Sequence, residues 1–124
     1  MTDDEAKELG LMVLAWEGFR WMPGMLGRRF SRTERVTMRW SAHIGSGGGD
    51  SWPDLRDGAT RGALLELLRE WHGEMTLVAV PEQPKDGYTV WLWSDARLRG
   101  EKVPAKPSEP EAYAALCEIP RGEL

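Results

Sequence analysis

The chain is short of the residues that most often announce chemistry. It has one cysteine, Cys117, and two histidines, His43 and His72. One cysteine excludes an internal disulfide. No Cys-x-x-Cys or His-x-x-x-His spacing exists, so neither a metal nor a cofactor is expected. No stretch approaches the roughly 20 apolar residues of a membrane-spanning helix, so no membrane partner is expected. The opening "MTDDEAKE" is acidic, whereas a secretory leader starts basic and turns apolar, and a cytoplasmic setting is the expectation. Positive charge is in the minority: 16 Lys and Arg against 20 Asp and Glu leave a formal net charge of −4. That balance argues against general DNA binding, which needs a basic surface to neutralise phosphates.

What is present fits one small α+β domain over residues 1–124. Hydrophobic residues make up 41% and charged residues 29%, enough to bury a modest core. Thr2 and Glu5 form a capping pair before an apolar run, which predicts a first helix over 3–17, with Leu9, Met12, Val13 and Trp16 on one face and Gly18 as its stop. "FRWM" (19–22) and "RVTMRW" (35–40) alternate as two strands would, joined by a mobile connection over 23–34. Asp57 is placed to cap a helix over 58–72 that Gly73 ends, with a stripe of Ala59, Ala63, Leu64, Leu67, Leu68 and Trp71. Gly58 and Gly62 lie four apart in that helix and suggest close approach to another backbone. "MTLVAV" (75–80) and "GYTVWLWS" (87–94) read as a second hairpin, and Ser108 caps a last helix over 109–118, ahead of a frayed tail. The expected order is helix, hairpin, helix, hairpin, helix, with an antiparallel sheet packed against the helices.

Two stretches resemble a group of small prophage and tailed-phage proteins: "WEGFRWMPGM" (16–25) and "PDLRDGATRGALLELLREWHG" (53–73). In that group a Trp-rich first helix and an "RWMPGM" element precede a "PDL…D.AT.G.LL.L.RE..G" helix. The similarity covers about a third of the chain and leaves residues 26–52 outside it. It implies a shared scaffold and a phage origin, and it carries no active site. Small phage accessory proteins often act by binding, frequently against host defence.

Catalytic patterns are weak. The glycine-rich segment 41–53 lacks the Gly-Lys-Ser/Thr of a phosphate loop, and Asp50 follows Gly49 where phosphate would be repelled. A flexible tether is the better reading. Ser46, Ser51 and Cys117 have no nucleophile context. Asp50, Asp54 and Asp57 are spaced for turns and a cap rather than for acid–base work. His72, at the end of the central helix, suits a capping role in its charged form. Trp91 and Trp93 fit the packing side of a sheet better than a stacking platform. No enzymatic activity is expected.

The arginines are more informative. Arg20, Arg28, Arg29, Arg32, Arg35 and Arg39 crowd into twenty residues opposed only by Glu34, with Trp21, Phe30 and Trp40 among them. Guanidinium forks suit phosphate or carboxylate, and aromatic faces stack on bases. The competing reading is a solvated loop. The candidate contact set is therefore Arg20, Trp21, Arg28, Arg29, Arg32, Arg35, Arg39 and Trp40. Its expected partner is a host defence protein, as for anti-CRISPR-type inhibitors, or a small anionic nucleotide signal that is sequestered in the infected bacterial cytoplasm. A homo-oligomer is compatible with this reading. The alternatives are a structural or scaffold protein of the virion and, third, a small nucleotide hydrolase.

Overall fold

A computed structural model describes residues 1–29, 32–36, 51–82, 90–93 and 105–121. It is an α+β fold with antiparallel strand pairs. The chain divides into two compact units, Met1–Leu67 and Leu68–Leu124, and one helix runs through the division. No helix among the described residues is long and apolar enough to cross a membrane.

In the first unit, α1 (Asp3–Leu14) starts where the capping pair places it. The Thr2 hydroxyl accepts from the Glu5 amide at 3.2 Å. The Glu5 carboxylate does not reach the cap amide of the usual reciprocal arrangement; it accepts from the Thr2 hydroxyl at 3.1 Å. Asp3, Asp4 and Glu5 complement the positive end of the helix. The helix ends at Leu14, earlier than the pattern suggested, because bonds from Trp16 to Val13 and from Phe19 to Trp16 convert the chain into tight turns. Gly18 serves that turn: a β-carbon there would lie 2.3 Å from the Trp16 ring.

The buried face of α1 is Ala6, Gly10 and Val13, while Met12 is exposed. Small residues are needed because α1 lies against β3 (Trp52–Pro53). A β-carbon at Gly10 would stand 2.5 Å from the Pro53 carbonyl oxygen and 2.7 Å from the Trp52 ring. Trp52 and Pro53, expected at the end of the glycine tether, are thus a buried strand.

The first sheet has the order β2-β1-β3 and is antiparallel throughout. Here β1 (Leu26–Arg29) and β2 (Arg32–Arg35) occupy the stretch expected to be a connection. The alternation in 19–22 was misleading. Phe19 and Trp21 pair edge to face, ring centroids 5.3 Å apart, without joining a strand. Gly24, with φ of 96°, then turns the chain into β1.

The helix α2 (Gly58–His72) has the bounds that Asp57 and Gly73 suggest. The Asp57 carboxylate caps it, accepting from the Thr60 amide at 3.0 Å and the Thr60 hydroxyl at 2.8 Å. At the far end Gly73 (φ 67°) closes a Schellman motif, with Gly73 bonded to Glu70 and Glu74 to Arg69. Its buried residues include Leu64, Leu67 and Leu68 as expected, but Thr60 is fully buried where Ala59 is exposed. A threonine can be buried here because its hydroxyl has both a donor and an acceptor partner. Among the described residues, nothing lies within 4 Å of a β-carbon built at Gly62, and only the end of the Arg61 side chain, at 3.7 Å, lies near Gly58, so none of them makes the close backbone approach that the pair suggested.

In the second unit, β4 (Ala79–Glu82) pairs antiparallel with β5 (Val90–Trp93), Ala79 opposite Trp93 and Pro81 opposite Trp91. The first of these strands starts later than expected. The Schellman ending and a Leu77-to-Glu74 bond use residues 74–77 for a turn, leaving Met75 73% exposed. Arg69 Nε donates to the Leu77 carbonyl at 2.9 Å and fixes that turn to α2. The last helix, α3 (Glu109–Cys117), is capped by Ser108 and buries Ala112, Tyr113, Ala114 and Leu116. Past it, the Arg121 guanidinium stacks 4.9 Å from the Trp71 ring centroid, so the tail is tied down at that point.

His72 has a different role from the expected charged cap. Its Nε2 lies 3.2 Å from the Leu116 carbonyl oxygen, which makes Nε2 the protonated, donating nitrogen. Its Nδ1 is buried with no partner among the described residues, and burial lowers the imidazole pKa despite that carbonyl. The unfolded chain therefore takes up the proton first. Stability attributable to His72 is full above the ordinary value of 6.5 and is lost as pH falls through the lowered folded value. Urea midpoints should fall between about pH 7 and 5 in the native protein. In His72→Gln, whose amide can still donate to Leu116, they should fall less. Equal slopes would show that His72 does not set this dependence.

Candidate functional site

The hairpin that bears the arginines is built from two four-residue strands whose register is Leu26↔Arg35, Gly27↔Glu34, Arg28↔Thr33 and Arg29↔Arg32. Opposite residues share a face, and successive residues alternate between faces. One face therefore carries Leu26, Arg28, Thr33 and Arg35. The other carries Gly27, Arg29, Arg32 and Glu34. The arginines that crowd together in sequence are divided by the pleat into two groups with different surroundings.

On the first face the guanidinium groups are held by carboxylates. Arg28 Nη1 donates to Asp3 Oδ1 at 3.3 Å, and its Nε lies 3.5 Å from Asp54 Oδ2. Arg56, which the sequence reading did not select, grips the same two acids. Its Nε and Nη2 each reach Asp54 at 3.0 Å, and its Nη1 reaches Asp3 at 2.7 Å. Asp54 is 4% exposed, so the clamp has a buried carboxylate at its centre. Hydrogen bonding to Asp54, then to Asp3, raises the Arg56 pKa further. The Arg56 contact, followed by the charges of Arg56 and Arg28, holds Asp3 below the usual carboxylate range.

Arg35 is similarly anchored. Both of its terminal nitrogens donate to the Asp57 carboxylate, Nη2 at 3.1 Å, and Nη1 also reaches the Gly24 carbonyl at 3.0 Å. Burial works against the Asp57 charge, but the bonds from Arg35 and Thr60 outweigh it and lower the pKa. Hydrogen bonding to Asp57 raises that of Arg35. The Thr60 hydroxyl that donates to Asp57 also accepts from the Leu26 amide at 2.8 Å. Leu26 and Arg35 are register partners, so both legs at the base of the hairpin are tied to the first turn of α2.

Arg29 and Arg32 are opposite each other in the last register pair and both are exposed. Glu34 is exposed on the same face, opposite Gly27. The Trp21 ring lies over Gly27: its Cη2 and Cζ3 are each 3.4 Å from a β-carbon built there. That vector points to the Arg29–Arg32 face, so the half-buried Trp21 shares it. Phe19 and the Trp21 ring meet edge to face.

Of the eight selected residues, Trp21, Arg29 and Arg32 thus come together, while Arg28 and Arg35 are on the opposite face in ion pairs. Arg20 is exposed in the segment ahead of Trp21. Arg39 and Trp40 lie outside the described residues, as does most of the glycine segment. Sequence reasoning missed Glu34 as a member of the cationic face and Asp3, Asp54 and Arg56 as the clamp. The alternation of "LGRR" against "RTER" carries the signal for Glu34. Asp54 and Arg56 are two residues apart, but nothing local signals that Asp3 and Arg28, distant in sequence, join them. Among the described residues no group of histidine, cysteine and acidic side chains is arranged to hold a metal ion. Burial, followed by the charge of Glu118, raises the pKa of the Cys117 thiol and makes it a poor nucleophile. Compared with protein families, curated proteins and solved structures, the chain matches none.

Proposed function

We propose that this chain is a non-enzymatic phage accessory protein that antagonises host defence by binding, with the Trp21–Arg29–Arg32 face of the hairpin as its contact. The observation that carries the reading is the opposed pair Arg29↔Arg32 at the hairpin end, on the face that also holds an aromatic ring. Guanidinium forks match phosphate or carboxylate oxygens in pairs. The acidic net charge disfavours bulk nucleic acid and leaves this local cationic face to a specific anionic partner. In the infected host such a partner is the acidic surface of a defence protein or a nucleotide signal. The phage origin is part of the proposal and rests on the resemblance of residues 16–25 and 53–73 to small prophage proteins.

Phage plating on bacteria that carry either a CRISPR nuclease or a nucleotide-signalling defence tests the reading. The native chain, expressed in the host, should restore plating of a sensitive phage under one of them. Arg29→Ala with Arg32→Ala should abolish the rescue at equal protein level. No rescue under either defence, or rescue that survives the double substitution, overturns the proposal.

A further inference from the structure

The Asp57 carboxylate serves two parts of the first unit at once. From the hairpin it accepts both terminal nitrogens of Arg35. From the helix it accepts the Thr60 amide at 3.0 Å and the Thr60 hydroxyl at 2.8 Å. Its backbone carbonyl takes the first bond of α2, from the Arg61 amide at 3.1 Å. Four donors on two oxygens fill the roughly four lone-pair sites of a carboxylate. The Thr60 hydroxyl is equally committed: it gives its one proton to Asp57 and accepts from the Leu26 amide at 2.8 Å. Thr60 is fully buried and the Asp57 side chain mostly so, which leaves water poorly placed to replace a lost bond.

A helix end and a short strand with exposed side chains are both elements that ordinarily open on their own. Here neither can. If the first turn of α2 unwinds, Thr60 leaves both Asp57 and the Leu26 amide, and β1 loses its tie to the helix. If the Arg35 end of β2 lifts, Asp57 gives up two of its four donors and is left as a mostly buried charge held by Thr60 alone. We infer that Asp57 is a shared latch, through which the base of the hairpin and the first turn of α2 open and close as one conformational unit. The coupling is reciprocal, so whatever orders the hairpin also steadies that turn, and the converse. It is a property of the fold and holds whether or not the hairpin is the contact proposed above.

Native-state hydrogen exchange on the full chain, with no ligand, reads this amide by amide. The Leu26, Thr60 and Arg61 amides should share one opening free energy. Arg35→Ala, a change on the hairpin, should speed exchange of Thr60 and Arg61 in the helix as well as of Leu26. The expected factor is about tenfold, the worth of a charge-assisted bond from a partly exposed guanidinium. Leu67, further along α2, should keep its rate. Thr60→Val keeps the side-chain shape and removes the hydroxyl. Exchange should then rise by a similar factor at Leu26 and at Val36, whose amide donates to the Met25 carbonyl at 2.7 Å. Asp57→Ser retains a helix cap but loses the carboxylate for Arg35. On that background Arg35→Ala should change nothing at Thr60 or Arg61. Should Thr60→Val fail to fold, Arg35→Ala with and without Asp57→Ser decides. The latch is overturned if Arg35→Ala moves Leu26 but not Thr60 and Arg61, if Leu67 accelerates equally, or if the effect on the helix amides survives Asp57→Ser.

Discussion

Replacing Asp54 by alanine is expected to cost about 3 kcal/mol. Asp54 is 4% exposed and receives both Nε and Nη2 of Arg56 at 3.0 Å, with Arg28 Nε at 3.5 Å. Without it, two guanidinium groups about three-tenths exposed lose the buried one of the two carboxylates they share, and only the exposed Asp3 remains to both. Their partial exposure lets water take over some of the bonding and holds the loss below that of a fully buried pair. Asp54→Ala combined with Arg56→Ala should be less destabilising than the sum of the two single changes, because the second substitution removes a stranded charge. Urea midpoints with an unchanged denaturant slope are the measurement. Strict additivity would show that the clamp stores no coupling and that Asp54 acts through local turn bonding alone.

Gly10→Ala should lower stability by about 2 kcal/mol, against the usual direction of that substitution in a helix. In the middle of an exposed helix alanine gains roughly 1 kcal/mol over glycine. Here the added carbon meets the Pro53 carbonyl oxygen at 2.5 Å and the Trp52 ring at 2.7 Å. Neither gives way cheaply: one is backbone in a paired strand, the other a ring that is 6% exposed. α1 must move off β3, and the buried Ala6 and Val13 move with it. Thermal midpoints of the two proteins settle the sign, and an equal or higher midpoint for Gly10→Ala would refute the close packing of α1 on β3.

The parts of this fold that could be read from sequence are those determined within a few residues. Thr2 with Glu5, Asp57 with Thr60, Gly73 and Ser108 with Glu111 each mark a helix end by bonds that span three or four positions. The first hairpin was displaced by seven residues at its start because Phe19 and Trp21 alternate as a strand would, yet meet edge to face ahead of it. The turn from Gly24 and the Thr60 bond to Leu26 fix where pairing begins, and the latter joins residues 34 apart. The candidate site was legible as an arginine-rich stretch but not as a face. Sequence proximity placed Arg28 beside Arg29, and the pleat separates them. The fate of Arg28 was set by Asp3 and Asp54, whose nearness no local pattern conveys.

The ties at the base of the hairpin bear on how fast any partner can engage. Leu26 is bonded to Thr60 and Arg35 to Asp57, so both feet of the hairpin stand on one turn of a single helix. The outer pair Arg29 and Arg32 is a short cantilever from that footing, and its spacing comes from strand geometry rather than from whatever lands on it. The entropy of arranging the two strands is spent during folding, before any encounter takes place. On the proposed function, a partner would meet strands already in place, and its capture would be limited by collision rather than by rearrangement of the backbone.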